Sequence, residues 1–263
     1  MAAAGRCFEN PSRWPEWWPK NTGYSYKIKK IQYGSVLLSA KCPDGSILDG
    51  EMRMAPLSAD SILVRWTCAA PGGCDLLNKV NVYLHAGDIR RDMDIILDSM
   101  RSFVGKPKNI YGIGFYRILS NDTTLVTITS FGGAYPTTAE VYSRVDSLRQ
   151  YVQRQGASEN GAPWLNVTKL SDNQYRSMIA IPVNRRLKGT ARILPREFVP
   201  WKMIEGDVYG GVYTVEKAFG LMQQYRTDNN LSIMALPYQT MITDRRREPD
   251  TTKWVTRICA PIS

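Results

Sequence analysis

The chain repeats itself. Residues 132–183 and 210–262 read as two copies of one unit of roughly fifty residues. Gly132-Gly133-Ala134-Tyr135 matches Gly210-Gly211-Val212-Tyr213. Ala162-Pro163-Trp164 matches Leu236-Pro237-Tyr238, and Ala180-Ile181-Pro182-Val183 matches Cys259-Ala260-Pro261-Ile262. A duplicated unit of this size is expected to be one supersecondary module that buries its apolar face against its twin. The seam between such twins is a natural place for a pocket, so binding is the first functional expectation.

Composition narrows the function classes. The chain has 263 residues, of which 43% are hydrophobic and 22% charged. That suits one to two globular domains. Net charge is +10, with basic clusters at Lys29-Lys30, Arg90-Arg91, Arg185-Arg186 and Arg245-Arg246-Arg247. Such scattered charge reads as a solvated surface unless it gathers on one face. The five cysteines are dispersed and no CxxC occurs. A disulfide framework is not expected, and a reducing compartment fits. Cys68 and Cys74 flank Pro71-Gly72-Gly73, a local turn, but a pairing between them is not expected. With one histidine, His85, no zinc motif can be assembled. No metal site and no cofactor are expected, and nothing around His85 suggests a Ser-His-Asp or Cys-His centre. No run of 18 apolar residues and no secretory signal are present, so the chain as given reads as cytoplasmic.

Two regions emerge along the chain. In residues 1–106, the aromatic cluster Trp14-Pro15-Glu16-Trp17-Trp18-Pro19 precedes strand-like runs at Ser25–Ile31, Ser35–Lys41, Ile47–Met54 and Ser61–Thr67. Tight turn signals between them predict an antiparallel meander. A long helix is expected from Asp88 as N-cap, with Ile89, Met93, Ile96, Leu97, Met100, Phe103 and Val104 forming one stripe. Gly105-Lys106-Pro107 ends it and marks the boundary. Residues 107–263 carry a strand–helix–strand–strand pattern twice. The first copy has a strand at Thr124–Ser130, a helix at about Thr138–Gln155 stopped by Gly156, and strands near Leu165–Leu170 and Arg176–Pro182. The second has a strand near Lys202–Tyr209, a helix carrying Val215, Phe219, Met222 and Tyr225, and strands near Tyr238–Thr243 and Trp254–Ala260. Residues 184–198 read as the linker.

Gly210-Gly211-Val212-Tyr213-Thr214, the helix after it, Pro237-Tyr238-Gln239, Thr243-Asp244 and the ending Trp254–Pro261 resemble a GyrI-like domain, the effector-binding domain of some AraC- and MerR-type regulators. The resemblance implies a pseudo-twofold pair of βαββ units (copies about 110–183 and 199–262) with a small-molecule groove between them. The tryptophan cluster, the strands and the long helix of residues 1–106 resemble the SRPBCC (START-like) helix-grip fold. Only thirteen residues precede Trp14, so this domain is expected to be incomplete at its N-terminus. Bacterial proteins that fuse the two domains often carry an N-terminal membrane helix. If such a helix lies upstream of this chain, the expectation becomes membrane-anchored. The expected fold class is therefore α+β: a partial helix-grip, then the duplicated GyrI-like domain. No helix-turn-helix segment is left over, so direct DNA binding is not expected.

GyrI-like domains hold cationic, lipophilic ligands with buried acids and aromatic rings, through charge complementarity and cation–π contact. Here Gln239 and Arg257 stand where the resemblance places acids. Both departures remove negative charge, so a neutral or anionic ligand becomes as reasonable as a cation. Tyr135, Trp164, Tyr213, Tyr238 and Trp254 fall at matching or neighbouring points of the copies and are candidate groove rings or ordinary core. Gln239, Glu140 and Glu216 are the candidate polar contacts. Thr137-Thr138-Ala139-Glu140 also spells a capping box, and Glu216 lies in a first helical turn. Non-catalytic binding of a small hydrophobic or amphipathic molecule, for sensing or sequestration, is the leading expectation. One alternative is a hydrolase of small electrophilic compounds using Glu140 or Glu216, which would need an acid/base and an activated water. Another is an interaction protein whose basic surface faces anionic lipid.

Overall fold

Strand alternation builds the first unit. Val36, Leu38 and Ala40 point to one side of their strand and are fully buried, and Leu48, Met52 and Met54 do the same on the next. The computed structural model describes residues 2–58, 61–69, 76–120 and 124–263, without the side chains of residue 2 and residues 76–85. The Cys68–Cys74 pairing, the Pro71-Gly72-Gly73 turn and the His85 side chain lie outside the described residues. Strands β1 (Ser25–Gln32), β2 (Ser35–Lys41), β3 (Ile47–Pro56) and β4 (Ile62–Ala69) form an antiparallel meander in sequence order. Helices α1 (Ala2–Phe8) and α2 (Trp14–Trp17) cover it at the N-terminal end. Trp14, Trp17 and Trp18 are buried together, with the Trp14 and Trp17 rings 4.7 Å apart. Trp14 Nε1 donates to the Phe8 carbonyl and Trp18 Nε1 to that of Tyr24, whereas Trp17 Nε1 is buried without a hydrogen-bond partner among the described residues.

Helix α3 (Leu76–Val104) starts a dozen residues before Asp88. Asp88 lies inside it, paired with Arg91 at 3.1 Å, and is not its N-cap. Gly87 lowers helix propensity by only about 1 kcal/mol relative to Ala, too little to set a boundary against packing. The stripe from Ile89 to Val104 joins the core of the meander, with Ile96 and Met100 wholly buried. After Gly105, α4 (Pro107–Tyr111) begins with proline at its first turn and ends on Gly112 at φ +76°. It packs on α1 and α3, and the first compact unit runs through Gly112.

The second unit, Ile113–Ser263, holds one antiparallel sheet of eight strands. In chain order its elements are β5 (Tyr116–Ser120), β6 (Thr124–Gly132), α5 (Thr138–Arg154), β7 (Trp164–Ser171), β8 (Gln174–Pro182), β9 (Leu194–Glu197), β10 (Trp201–Tyr209), α6 (Val212–Asp228), β11 (Tyr238–Met241) and β12 (Val255–Pro261). Across the sheet the order is β5-β10-β12-β11-β7-β8-β6-β9. Thus β11 and β7 meet in the middle, and β5 and β9 close the edges. Both edge strands were unanticipated. β9 contains Pro195, which a sheet tolerates at its edge, and it folds back from the stretch read as linker.

Alternation sorts the sheet into two faces. Val126, Leu165, Ile179 and Ile181 meet α5 through Val141, Val145, Leu148 and Val152. Each such buried Val or Leu contributes about 1.5–3 kcal/mol. Helix α6 packs on β10 and β12 by Val215, Ala218 and Met222. Leu125, Trp164, Ala180, Met203, Tyr238 and Cys259 form a separate cluster on the opposite face. Both helices end in the same way. Gly156 at φ +65° follows α5, with Gly156 N–H donating to Gln153 and Ala157 N–H to Val152. Asn230 at φ +51° follows α6, with Asn230 N–H donating to Thr227 and Leu231 N–H to Arg226. These are Schellman closures, which need a residue that accepts a left-handed backbone.

Candidate functional site

The central joint of the sheet gathers most of the candidate residues and divides them. Strands β7 and β11 pair through Gln239↔Leu165 and Thr240↔Trp164. Asn166 Nδ2 ties across to the Pro237 carbonyl at 2.7 Å. Because neighbouring side chains point to opposite faces, Trp164 and Tyr238 lie on the face away from the helices. They are both buried and stacked, with ring centroids 4.1 Å apart and planes 19° apart. Leu165 and Gln239 lie on the helix face.

A cavity opens on each face. The helix-face cleft, about 440 Å³, takes Leu165 and Val167 from β7, Val215, Phe219 and Met222 from α6, and Tyr135 from the turn before α5. Asn166 and Gln239 are among its polar groups, and Lys169, Glu216 and Arg226 are its charged ones. The second cavity, about 560 Å³, is almost wholly apolar. Leu125, Met178, Trp164, Tyr238 and Trp201 line it, with Phe198 from the segment before β10.

Behind the helix-face cleft sits a buried cation. Arg245 is only 9% exposed. One terminal nitrogen, Nη2, donates to Gln239 Oε1 at 3.1 Å and to Thr256 Oγ1 at 2.9 Å. Its guanidinium lies 4.9 Å from the centre of the Trp254 ring, and its backbone N–H donates to the Tyr142 hydroxyl. An arginine can only donate, so the Gln239 amide must turn its oxygen to Arg245. Gln239 Nε2 then points to the Tyr135 hydroxyl, 3.4 Å away. Burial pulls the Arg245 pKa below its ordinary value and raises that of the Tyr135 phenol.

The candidate residues therefore occupy different places. Tyr135, Gln239 and Glu216 line the helix-face cleft, while Trp164 and Tyr238 line the apolar cavity. Tyr213 is 78% exposed at the start of α6. Trp254 is buried beneath Arg245, its Nε1 donating to the Glu248 carbonyl. Glu140 closes the capping box: its carboxylate accepts from Thr137 N–H at 2.8 Å, and Thr137 Oγ1 accepts from Glu140 N–H. The Thr137 N–H and hydroxyl, both donating to that carboxylate, hold its pKa below the usual carboxylate range. Arg257, found where the resemblance implies an acid, pairs with Asp207 at 2.7 Å and Glu205 at 3.7 Å on the sheet.

Sequence reading missed Arg245, which it counted only as part of a basic cluster with Arg246 and Arg247. Those two are exposed and only Arg245 turns inward, a distinction that three consecutive arginines do not display. Arg226, in the last turn of α6, carried no signal beyond a basic residue near a helix end. Phe198 and Trp201 could have been noticed as rings flanking Pro200. Among the described residues, no three His, Cys, Asp or Glu side chains gather as a metal site, and no helix is long and apolar enough to cross a membrane.

No protein-family model and no curated protein matches the chain. Solved structures do. The chain is similar to EcmrR as seen in a complex with DNA, at 15% identity and TM-score 0.51, over 72% of this chain and 73% of that one. The C-terminal domain of EcmrR matches at 13% identity and TM-score 0.49, over 57% of this chain and 98% of that one. SAV2435, solved bound to tetraphenylphosphonium, matches at 14% identity and TM-score 0.35, over 57% and 93%. The EcmrR match establishes a likeness of fold: a mixed α+β chain with antiparallel sheets.

Proposed function

We propose that the second unit is an internal duplication that binds a small amphipathic molecule in its helix-face cleft, without catalysis, for sensing or sequestration. The duplication is supported by backbone bonds that recur at matched positions. Asn160 N–H donates to Pro182 and Met234 N–H to Pro261; Val183 N–H donates to Thr124 and Ile262 N–H to Lys202. The bridges Glu159↔Val183 and Ile233↔Ile262 are likewise paired. Reading outward from the β7/β11 joint, each side runs second, third, first strand of its copy. This order is what a local twofold axis at the Leu165↔Gln239 pair would produce. The first unit, a four-stranded meander packed against α3, fits part of a helix-grip fold.

The observation that carries the binding reading is the cleft itself. It spans the joint, draws walls from both copies, and combines an apolar floor with a few convergent polar groups, the usual makeup of a small-molecule site. Native mass spectrometry of freshly purified protein is the test, followed by thermal shift across an amphiphile library. A ligand at a hundred times its Kd stabilises by roughly 2.7 kcal/mol, so Tm rises by several degrees. Phe219→Trp, which fills the cleft, should abolish that rise. A protein that carries no ligand and shows no shift with any amphiphile overturns the reading.

The hydrolase alternative narrows to Glu216, since Glu140 is occupied as a cap and only Glu216 lines the cleft. Full hydrolysis of electrophilic substrates by Glu216→Gln would remove that alternative.

A further inference from the structure

A guanidinium stays charged at any physiological pH. Burying one is costly unless an anion or a full set of acceptors answers it. At the helix-face cleft two arginines lack that answer. Arg226 lines the cleft, and its Nε is buried with no hydrogen-bond partner; its Nη2 reaches only the Leu231 carbonyl, at 3.3 Å. Arg245 sits behind Gln239, and its Nε is likewise buried and unpartnered. Among the described residues neither forms an ion pair with a carboxylate. Other arginines of this unit find acids: Arg257 pairs with Asp207, Arg246 with Asp146 and Asp244, and Arg149 with Glu159. Lys169 also lines the cleft but is held by Asp172, and Glu216 is the acid that faces it.

Hydrogen-bond polarity points the same way. Arg245 consumes the Gln239 oxygen, so Gln239 offers the cleft only its N–H₂. The Tyr135 hydroxyl accepts from that amide, which leaves its own proton to donate. The Gln239–Tyr135 end of the cleft thus offers donors backed by Arg245, while the lining as a whole carries Arg226, with no carboxylate partner among the described residues, against the single acid Glu216.

We propose, resting on the binding reading above, that the ligand is an amphiphile with a carboxylate head. Its apolar body lies against Val215, Phe219 and Met222. Its head is held by the Gln239–Tyr135 donors, with Arg245 supplying charge from behind and Arg226, farther along α6, adding positive charge to the lining. A carboxylate answers the positive charge of Arg245 and Arg226, which a neutral acceptor does not. The cleft therefore selects for charge of the sign opposite to what an acid at position 239 would have selected.

Isothermal titration of the full chain with decanoate, decanol and decyltrimethylammonium separates the possibilities. Decanoate should bind at least about tenfold more tightly than the ammonium, with decanol between them, from one unscreened charge contact. Arg226→Gln, and the near-isosteric Gln239→Glu that neutralises Arg245 in place, should each weaken decanoate about tenfold while decanol keeps its affinity. If the ammonium binds as well as decanoate, or if both variants weaken decanol as much as decanoate, the anionic assignment falls and the binding reading stands. If none of the three probes binds, both fall.

Discussion

At the entry to α6, Gly210 adopts φ +120°, a region that L side chains rarely enter. A Cβ built there would lie 2.6 Å from Thr214 Oγ1. Gly210→Ala should therefore cost about 1–3 kcal/mol in urea unfolding, whereas Gly220→Ala, in an open helical position, should be neutral or stabilising. Cys259 makes a second residue-level case. It is 1% exposed, and burial pushes its thiol up to about 12, with Glu205 nearby adding to the shift. The reactive species is the thiolate, so in native protein at mildly alkaline pH iodoacetamide should leave Cys259 unlabelled until denaturant is added. Legibility at this scale followed geometry. The Gly-Gly pairs, the turn residues and Glu140 announce themselves because backbone conformation demands particular residue types. Arg245 does not, because its inward turn is set by the Trp254 ring and the Gln239 amide, which reach it only after the sheet has formed.

Helix ends give measurable consequences for single elements. Thr137→Ala removes one half of the α5 capping box and should destabilise by about 1 kcal/mol, read as a lower urea midpoint at unchanged slope. The loop before β12 depends on Asp244, whose carboxylate accepts from Arg246 and is held below the ordinary carboxylate range, chiefly by that bond. A carboxylate with a lowered folded pKa stabilises above its unfolded pKa and loses that contribution as pH falls through the folded value. Asp244→Asn should thus lower stability at neutral pH and flatten the acid limb of the stability curve, while the two proteins converge at low pH. Element boundaries in the sequence were clear where caps and stops are local, as at Thr137 and Gly156. They failed for α3, where Asp88 looked like a cap but the preceding run had nothing to stop a helix. They failed again for β5 and β9, whose few residues become strands only by pairing with β10 and β6.

At the scale of the whole molecule, two cores are built by different means: the meander and its tryptophans in one, the eight-stranded sheet with its helices in the other. Residues 113–263 expressed alone should unfold in one cooperative urea transition; a non-cooperative transition would show that the division at 112/113 is not a folding boundary. The series of strand-like runs in residues 107–263 corresponds to six strands of the second unit. It did not reveal that Trp164 and Tyr238 would face away from Tyr135 and Gln239, because period-two alternation separates neighbours that sequence places side by side. The β7/β11 joint has one more consequence. Two ladder pairs hold it, against eight between β6 and β8. A sheet hinged on so short a ladder behaves as a seesaw, and flexing there that tightens one cavity slackens the other. Amides of 164–166 and 238–241 should then exchange with deuterium well before those of 125–132, and filling the helix-face cleft should slow them. A molecule seated on one side of the sheet would be felt, through that pivot, as a change of volume on the other.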